Sequence, residues 1–241
     1  SRPLDIVADR LVQAAALQLA DEHWYWYARV HHILLDGFGA SNFLNRTAQL
    51  YTAAVTGTEA PAGKATDLRT LYDSEIAYRE STRFESDKAH WAQRVAGLEE
   101  GSSLTGRSAP PSPVNDITSA ALSPAQDALL DAAITRHDTT SAPLLIAGFA
   151  AYLAQITGTE DVILSLPVTG RTTAVMRRSG GVTSNIVPLR LRVGHDTTVA
   201  ELLRAVTTEV SGALRHQRYR HEDVRRDSAG YGMVATEFFG P

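Results

Sequence analysis

Cysteine is absent from the 241 residues. Neither a disulfide nor a thiolate metal site is therefore available, and a reducing cytoplasm is the compartment that fits. Long apolar runs are absent too. The longest, over residues 142–156, is interrupted by Pro143, Gly148 and Gln155 and falls short of the roughly 20 residues a spanning helix needs. The opening residues show no secretory pattern, so no membrane partner is expected. There is no excess of positive charge either: the formal net charge is −4 and the pI about 6.1. A dedicated nucleic-acid binder would rest on a basic surface, so that class is set aside.

Two catalytic signatures are also missing. No Gly-x-Ser-x-Gly elbow occurs, which weakens a serine hydrolase reading. The eight histidines include no His-x-x-x-His pair, and His216 and His221 stand five apart, so no metal is expected. What is present is a hydrophobic fraction of 44% beside 21% charged residues, enough to bury a sizeable core in one large domain or two lobes.

Periodicity and turn residues give the organisation. An apolar run over residues 10–19, a polar Asp21-Glu22-His23 turn and the aromatic run from Trp24 to Val30 read as a hairpin. Ser41 is expected to cap a helix carrying Leu44, Ala48, Tyr51 and Val55, with Gly57 ending it. Asp67 starts a second helix with Leu68, Tyr72 and Ile76 on one side, and Trp91, Val95 and Leu98 mark a third. Residues 101–116 are rich in Gly, Ser and Pro and are expected to link a first part, 1–100, to a second, 117–241.

In the second part, a short strand over 117–122 meets Ser123-Pro124-Ala125-Gln126, a strong helix start. An apolar helix over 142–156 ends at Gly158, a buried strand follows over 162–168, and another strand over 186–193 precedes a helix over 198–215. Residues 231–241 look like a strand cut short. Alternating strands and helices imply a mixed α/β sandwich.

The chemistry concentrates in His31-His32-Ile33-Leu34-Leu35-Asp36-Gly37. On an extended segment neighbouring side chains face opposite ways, so His31 and His32 would not serve one small site: one faces a cleft and the other packing. An imidazole near physiological pKa, aimed by an Asp-Gly turn, suits a general base or an orienting group. A core histidine beside an ordinary turn is the alternative. For Trp24, Tyr25, Trp26 and Tyr27, core packing is the default. The basic run from Arg215 to His221 could receive an acidic partner, although cations at a helix C-terminus are also favoured by the dipole alone.

This histidine segment resembles the His-His-x-x-x-Asp-Gly signature of nonribosomal peptide synthetase condensation domains, which share the two-lobed fold of chloramphenicol acetyltransferase. Further segments match in order: Pro3-Leu4-Asp5, His90-Trp91 with Val95-Ala96-Gly97, Gly181 to Asn185 with Pro188-Leu189-Arg190, and His216-Gln217 with His221-Glu222-Asp223. There are departures. Thr183 stands where the family usually has an aromatic residue, and Arg220 where many relatives have proline. The ending Glu237-Phe238-Phe239-Gly240-Pro241 is similar to segments of siderophore-type synthetases.

The resemblance implies an α/β fold of two lobes, mixed sheets flanked by helices, with the active site between them. It implies an acyltransferase-type enzyme in which His32, aided by His31, Asp36 and Gly37, assists attack of an acceptor amine on a donor thioester. No intrinsic cofactor is implied. Both substrates arrive on phosphopantetheine arms of upstream and downstream peptidyl carrier domains, beside an adjoining adenylation domain. Ser184, Asn185 and Arg190 would bind substrate, Asn185 and Arg190 through tunnel or inter-lobe contacts, with a surface strand and an exposed arginine as the alternative. Asp36 would pair with an arginine expected in an absent N-terminal part, since roughly a quarter of the domain and a C-terminal portion are missing by comparison with the family. Gly37 would allow a positive backbone angle or close approach of the substrate arm, with a plain turn glycine as the favoured reading. An epimerisation domain or a non-catalytic carrier-docking module remains open.

Overall fold

The computed structural model describes residues 4–63, 65–98, 102–104 and 117–229. They form β1 (Val12–Ala20), β2 (His23–Val30), α1 (Gly37–Thr56), α2 (Leu68–Arg79), α3 (Thr82–Val95), α4 (Pro124–Arg136), α5 (Ser141–Thr157), β3 (Asp161–Val168), α6 (Ala174–Arg178), β4 (Asn185–Arg192), α7 (Val199–Arg215) and α8 (His221–Ala229). The content is mixed α/β. The strands pair as two antiparallel hairpins, β1 with β2 and β3 with β4.

The chain divides into two compact units. One holds residues up to Ser81 together with Thr169–Ser184; the other holds Thr82–Val168 and Asn185 onward. This differs from the expected split at 101–116. The amphipathic α3 explains it: Trp91 and Val95 are buried with Leu153 of α5, Ile163 of β3, Leu189 of β4 and Val206 of α7, so residues from 82 onward belong to the second core. Of the expected linker, 105–116 lies outside the described residues, whereas Ser102 Oγ accepts a hydrogen bond from the Ile163 amide of β3 at 2.8 Å.

In the second unit, β3 and β4 pair Val162 with Leu191, Leu164 with Leu189 and Leu166 with Val187. Helix α4 begins with the expected capping box: Ser123 Oγ accepts from the Gln126 amide and the Gln126 side chain returns to the Ser123 amide. Helix α7 carries the same device between Thr198 and Glu201. Helix α5 buries only Ala147, Ala150 and Leu153, leaving Leu145, Phe149, Tyr152 and Ile156 exposed. Among the described residues no single helix is long and apolar enough to cross a membrane. The expected strand over 117–122 forms no regular secondary structure, and the expected terminal strand over 231–241 lies outside the described residues.

Two family-like segments distant in sequence meet in this unit. His90 stacks on His216 with ring centroids 3.8 Å apart, and Trp91 Nε1 donates to the His216 carbonyl at 3.0 Å. Burial and the neighbouring His216 push the His90 imidazole down to about 4. Asp87, itself buried, bonds His216 Nδ1 at 2.7 Å. The basic run thus begins by anchoring α7 to α3.

The first unit is built on the β1–β2 hairpin and α1. The aromatic run of β2 departs from the core default: Trp24, Tyr25, Trp26 and Tyr27 are all about half exposed, and Trp24 and Trp26 line a groove of about 550 Å³ against Leu44 and Tyr51 of α1. Helix α1 is capped by Asp36 instead of Ser41, because the Asp36 carboxylate accepts from the Gly39 amide and starts the helix at Gly37. Asp67 caps α2 as expected, accepting from the Thr70 amide at 2.7 Å.

Candidate active site

Strand β2 stops at Val30, and residues 31–34 form a turn instead of continuing extended. The Leu34 amide donates to the His31 carbonyl at 3.0 Å, and the Ile33 amide donates to His31 Nδ1 at 3.1 Å. A side chain that accepts from the backbone two residues on offers the chain a local alternative to the strand ladder, which is why the alternation of faces fails here. The division of labour survives by another route. His31 Nδ1 is engaged as an acceptor, so its proton resides on Nε2 and the ring braces the turn. His32 sits exposed on that turn, and among the described residues its ring makes no hydrogen bond.

Immediately beyond the turn, Leu35 forms an isolated parallel bridge with Gly181 and the Asp36 amide donates to the Gly181 carbonyl at 3.4 Å. Asp36 is buried, and its carboxylate is gripped on both oxygens. Oδ1 accepts from the Gly39 amide at 2.7 Å and from Arg171 Nη2 at 2.8 Å. Oδ2 accepts from the amides of Thr183 at 2.9 Å and Ser184 at 3.1 Å, with Thr183 Oγ1 at 3.4 Å. Burial alone would raise this carboxyl, but the Gly39 and Thr183 amides and the Arg171 guanidinium together hold it below the ordinary carboxylate range. Asp36 is therefore a saturated anion that organises the loop.

The arginine partner is a correction to the sequence reading, which put it in an absent N-terminal part. It is Arg171, with 1% of its side chain exposed, on the segment Thr169–Ser184. Arg171 Nη1 also donates to the carbonyls of Met176 and Ser179, and Nη2 to that of Gly181. Its Nε finds no acceptor among the described residues, while the Phe38 ring lies 5.0 Å from Cζ and offers a π face to the cation.

Gly37 behaves as the plain glycine of the Asp-Gly turn. It is the first residue of α1, its φ lies outside the positive range, and the space where a Cβ would project is open. The glycine that packing demands is Gly39, whose Cβ would meet Leu35 Cδ2 at 3.1 Å and both Asp36 Oδ1 and the Gly181 carbonyl at 3.3 Å. Approach of a substrate at Gly37 is compatible with that open space; a special backbone angle is not.

The three expected substrate contacts part company. Ser184 enters the Asp36 grip through its amide. Asn185 is buried in the second unit, where Nδ2 donates to the carbonyls of Gln217 and Tyr219 and Oδ1 accepts from the His221 amide. Arg190 pairs with Asp161 and donates to the Ala96 carbonyl at 2.7 Å. The Asn185 side chain is thus committed to its own fold, because a buried amide must satisfy its donors internally, whereas Arg190 is paired within the second unit while keeping 29% of its side chain exposed. Asn185→Ala is expected to lower stability by about 2–4 kcal/mol, since it removes the side chain that bonds two carbonyls and an amide. Thermal unfolding checks this, and unaltered stability would show that Asn185 is not held for the fold.

Arg171, Thr183 and Gly39 were missed in sequence. The only signal was a Gly-Arg pair directly after the buried strand β3, and nothing local names Asp36 as its partner. Among the described residues no group of three His, Asp or Glu side chains converges as a metal site requires.

A family model described as the condensation domain matches residues 1–239. The chain is 37% identical over 227 residues to isonitrile lipopeptide synthase of Streptomyces coeruleorubidus, covering 94% of this chain and 15% of that protein. It is 34% identical over 244 residues to dimodular nonribosomal peptide synthase of Bacillus subtilis (strain 168), covering 100% of this chain and 10% of the relative. Among solved structures it is similar to the first condensation domain of the calcium-dependent antibiotic synthetase in complex with substrate analogue 2a, with TM-score 0.81, 35% identity, and 96% of this chain and 53% of that one covered. The starter condensation domain of rhizomide synthetase in complex with C8-CoA and Leu-SNAC gives TM-score 0.81 and 33% identity, covering 99% of this chain and 53% of that one. This chain therefore spans about half the length of those solved domains and a small part of the synthetases. With its histidine turn inside the matched residues and relatives of this kind, the chain belongs to the condensation-domain family of nonribosomal peptide synthetases.

Proposed function

We propose that this chain forms amide bonds, joining a donor acyl thioester on one carrier domain to an acceptor amine on another. The amine nitrogen attacks the thioester carbonyl, a tetrahedral oxyanion forms, and its collapse breaks the C–S bond and releases the donor carrier's thiol. The new amide nitrogen loses one proton in the process. His32 is the group that accepts or orients that proton in this reading, supported by its exposed ring beside an engaged His31 and a fully bonded Asp36. His31 holds the turn through Nδ1, Asp36 anchors the start of α1, and the open side of Gly37 leaves room for a phosphopantetheine arm. Upstream and downstream carrier domains and an adjoining adenylation domain are the partners this reading requires.

The observation that carries the proposal is the pairing of an exposed imidazole with a saturated, buried Asp36 four residues on, just beyond the same turn. A group poised for proton transfer must be held on a rigid support and remain reachable. The test loads the donor and acceptor carriers of the whole synthetase and follows product by intact mass. Expected is an amide-linked product on the acceptor carrier that needs both partners. A D-configured donor formed without acceptor would instead identify an epimerisation domain, and carrier binding without product a docking module.

A further inference from the structure

The segment Thr169–Ser184 leaves β3, reaches Asp36 and rejoins the chain at β4, and its two ends are drawn together. Thr183 Oγ1 donates to the Thr169 carbonyl at 2.9 Å, and the Arg171 amide donates to Thr169 Oγ1 at 3.3 Å. Gly170 lies between them with φ +64°, and a Cβ there would fall 2.1 Å from the Thr183 carbonyl oxygen and 3.1 Å from its carbon. Backbone faces backbone at this point, so no side-chain rotation could relieve the clash.

The residues on either side of this contact are the ones that grip Asp36. Arg171, next to Gly170, holds Oδ1; Thr183, opposite Gly170, holds Oδ2 through its amide. Gly170 therefore sets the separation of two donors that must reach two oxygens of one rigid carboxylate. If Thr183 is displaced, Asp36 either loses a donor or moves with it. Asp36 follows the turn that carries His32 and caps α1, so such a shift reaches the imidazole.

We propose that Gly170 is a positioning residue for the condensation reaction: its missing side chain lets the segment close so that Arg171 and Thr183 hold Asp36, and with it the His32 turn, in the productive geometry. This inference rests on the reading of His32 as the reactive group.

The test uses the whole synthetase with loaded carriers and compares Gly170→Ala, Thr183→Val, Thr183→Ser and His32→Ala. Displacement of a catalytic support by about 1 Å lowers rates on the order of 10²-fold. Gly170→Ala is expected to reduce kcat by about 10–100-fold, with KM for each carrier substrate within about twofold. Thr183→Val, which keeps shape and removes the hydroxyl suture, is expected to reduce kcat by about 3–10-fold, and Thr183→Ser to recover most of that loss. If Gly170→Ala yields no folded protein, the Thr183 pair decides: wild-type kcat in Thr183→Val overturns the proposal. So does unaltered kcat in a folded Gly170→Ala, or a change confined to KM. His32→Ala without effect would overturn the underlying reading as well, whereas an inactive His32→Ala beside a fully active Gly170→Ala overturns this inference alone.

Discussion

His32→Ala is expected to slow single-turnover amide formation by about 10²–10⁴-fold, the usual contribution of a positioned proton-transfer group, while carrier affinity stays within about twofold. The fold should tolerate the change, because the ring is exposed and its removal strands no buried donor or acceptor. His31 cannot take over: its Nδ1 braces the Ile33 amide, and turning it outward would open the turn. Asp36 cannot either, since both oxygens are engaged and the Gly39 and Thr183 amides with Arg171 outweigh its burial and hold the carboxyl below the ordinary range. A companion His32→Gln separates the two roles left for the imidazole. Glutamine keeps hydrogen-bonding capacity without a titratable nitrogen, so it should retain part of the rate if orientation dominates and none if proton removal does. Quench-flow measurement with preloaded carriers reads the chemical step. A wild-type rate in His32→Ala would sink the assignment.

The parts of the fold legible in the sequence were those fixed by neighbours along the chain. The hairpin of β1 and β2, the Asp67 cap of α2 and the Ser123–Gln126 capping box each depend on residues a few positions apart, and each formed where expected. The histidine turn failed for a local reason of a different kind: the pattern of apolar residues after His32 suits a strand, but His31 Nδ1 offers the Ile33 amide a competing partner. The errors at the site came from long range. Arg171 lies 135 positions from Asp36, and no periodicity marks that pairing. Asn185 and Arg190 matched family positions, and the partners their side chains take, carbonyls and a carboxylate, are supplied by the folded second unit. The compact units divide elsewhere than 101–116, because composition marks that stretch whereas the buried face of α3 joins the second core.

Arg171→Met is expected to weaken the site locally by about 3–5 kcal/mol, the usual loss when one partner of a buried ion pair is removed. The pair is nearly inaccessible, at 1% and 3% side-chain exposure, so water cannot replace the lost guanidinium. Methionine fills the volume but leaves the Asp36 charge uncompensated and takes a donor from the carbonyls of Met176, Ser179 and Gly181. The amides of Gly39, Thr183 and Ser184 report the damage directly, because each is bonded to Asp36. Hydrogen exchange of peptides covering these positions should show lost protection in the variant, with the second unit unaffected. Adding Asp36→Asn removes the orphaned charge, so the double variant should lose less than the sum of the single changes. The acid response supplies an independent sign. In the wild type the carboxyl is held below its ordinary 3.8, so its contribution is complete above that value and is lost as pH falls through the depressed one. Without Arg171 the burial that opposes ionisation meets less compensation, Asp36 takes up its proton earlier, and the loss should begin at a higher pH. Equal protection of the three amides in variant and wild type would mean that the Gly39, Thr183 and Ser184 amides hold Asp36 without the cation.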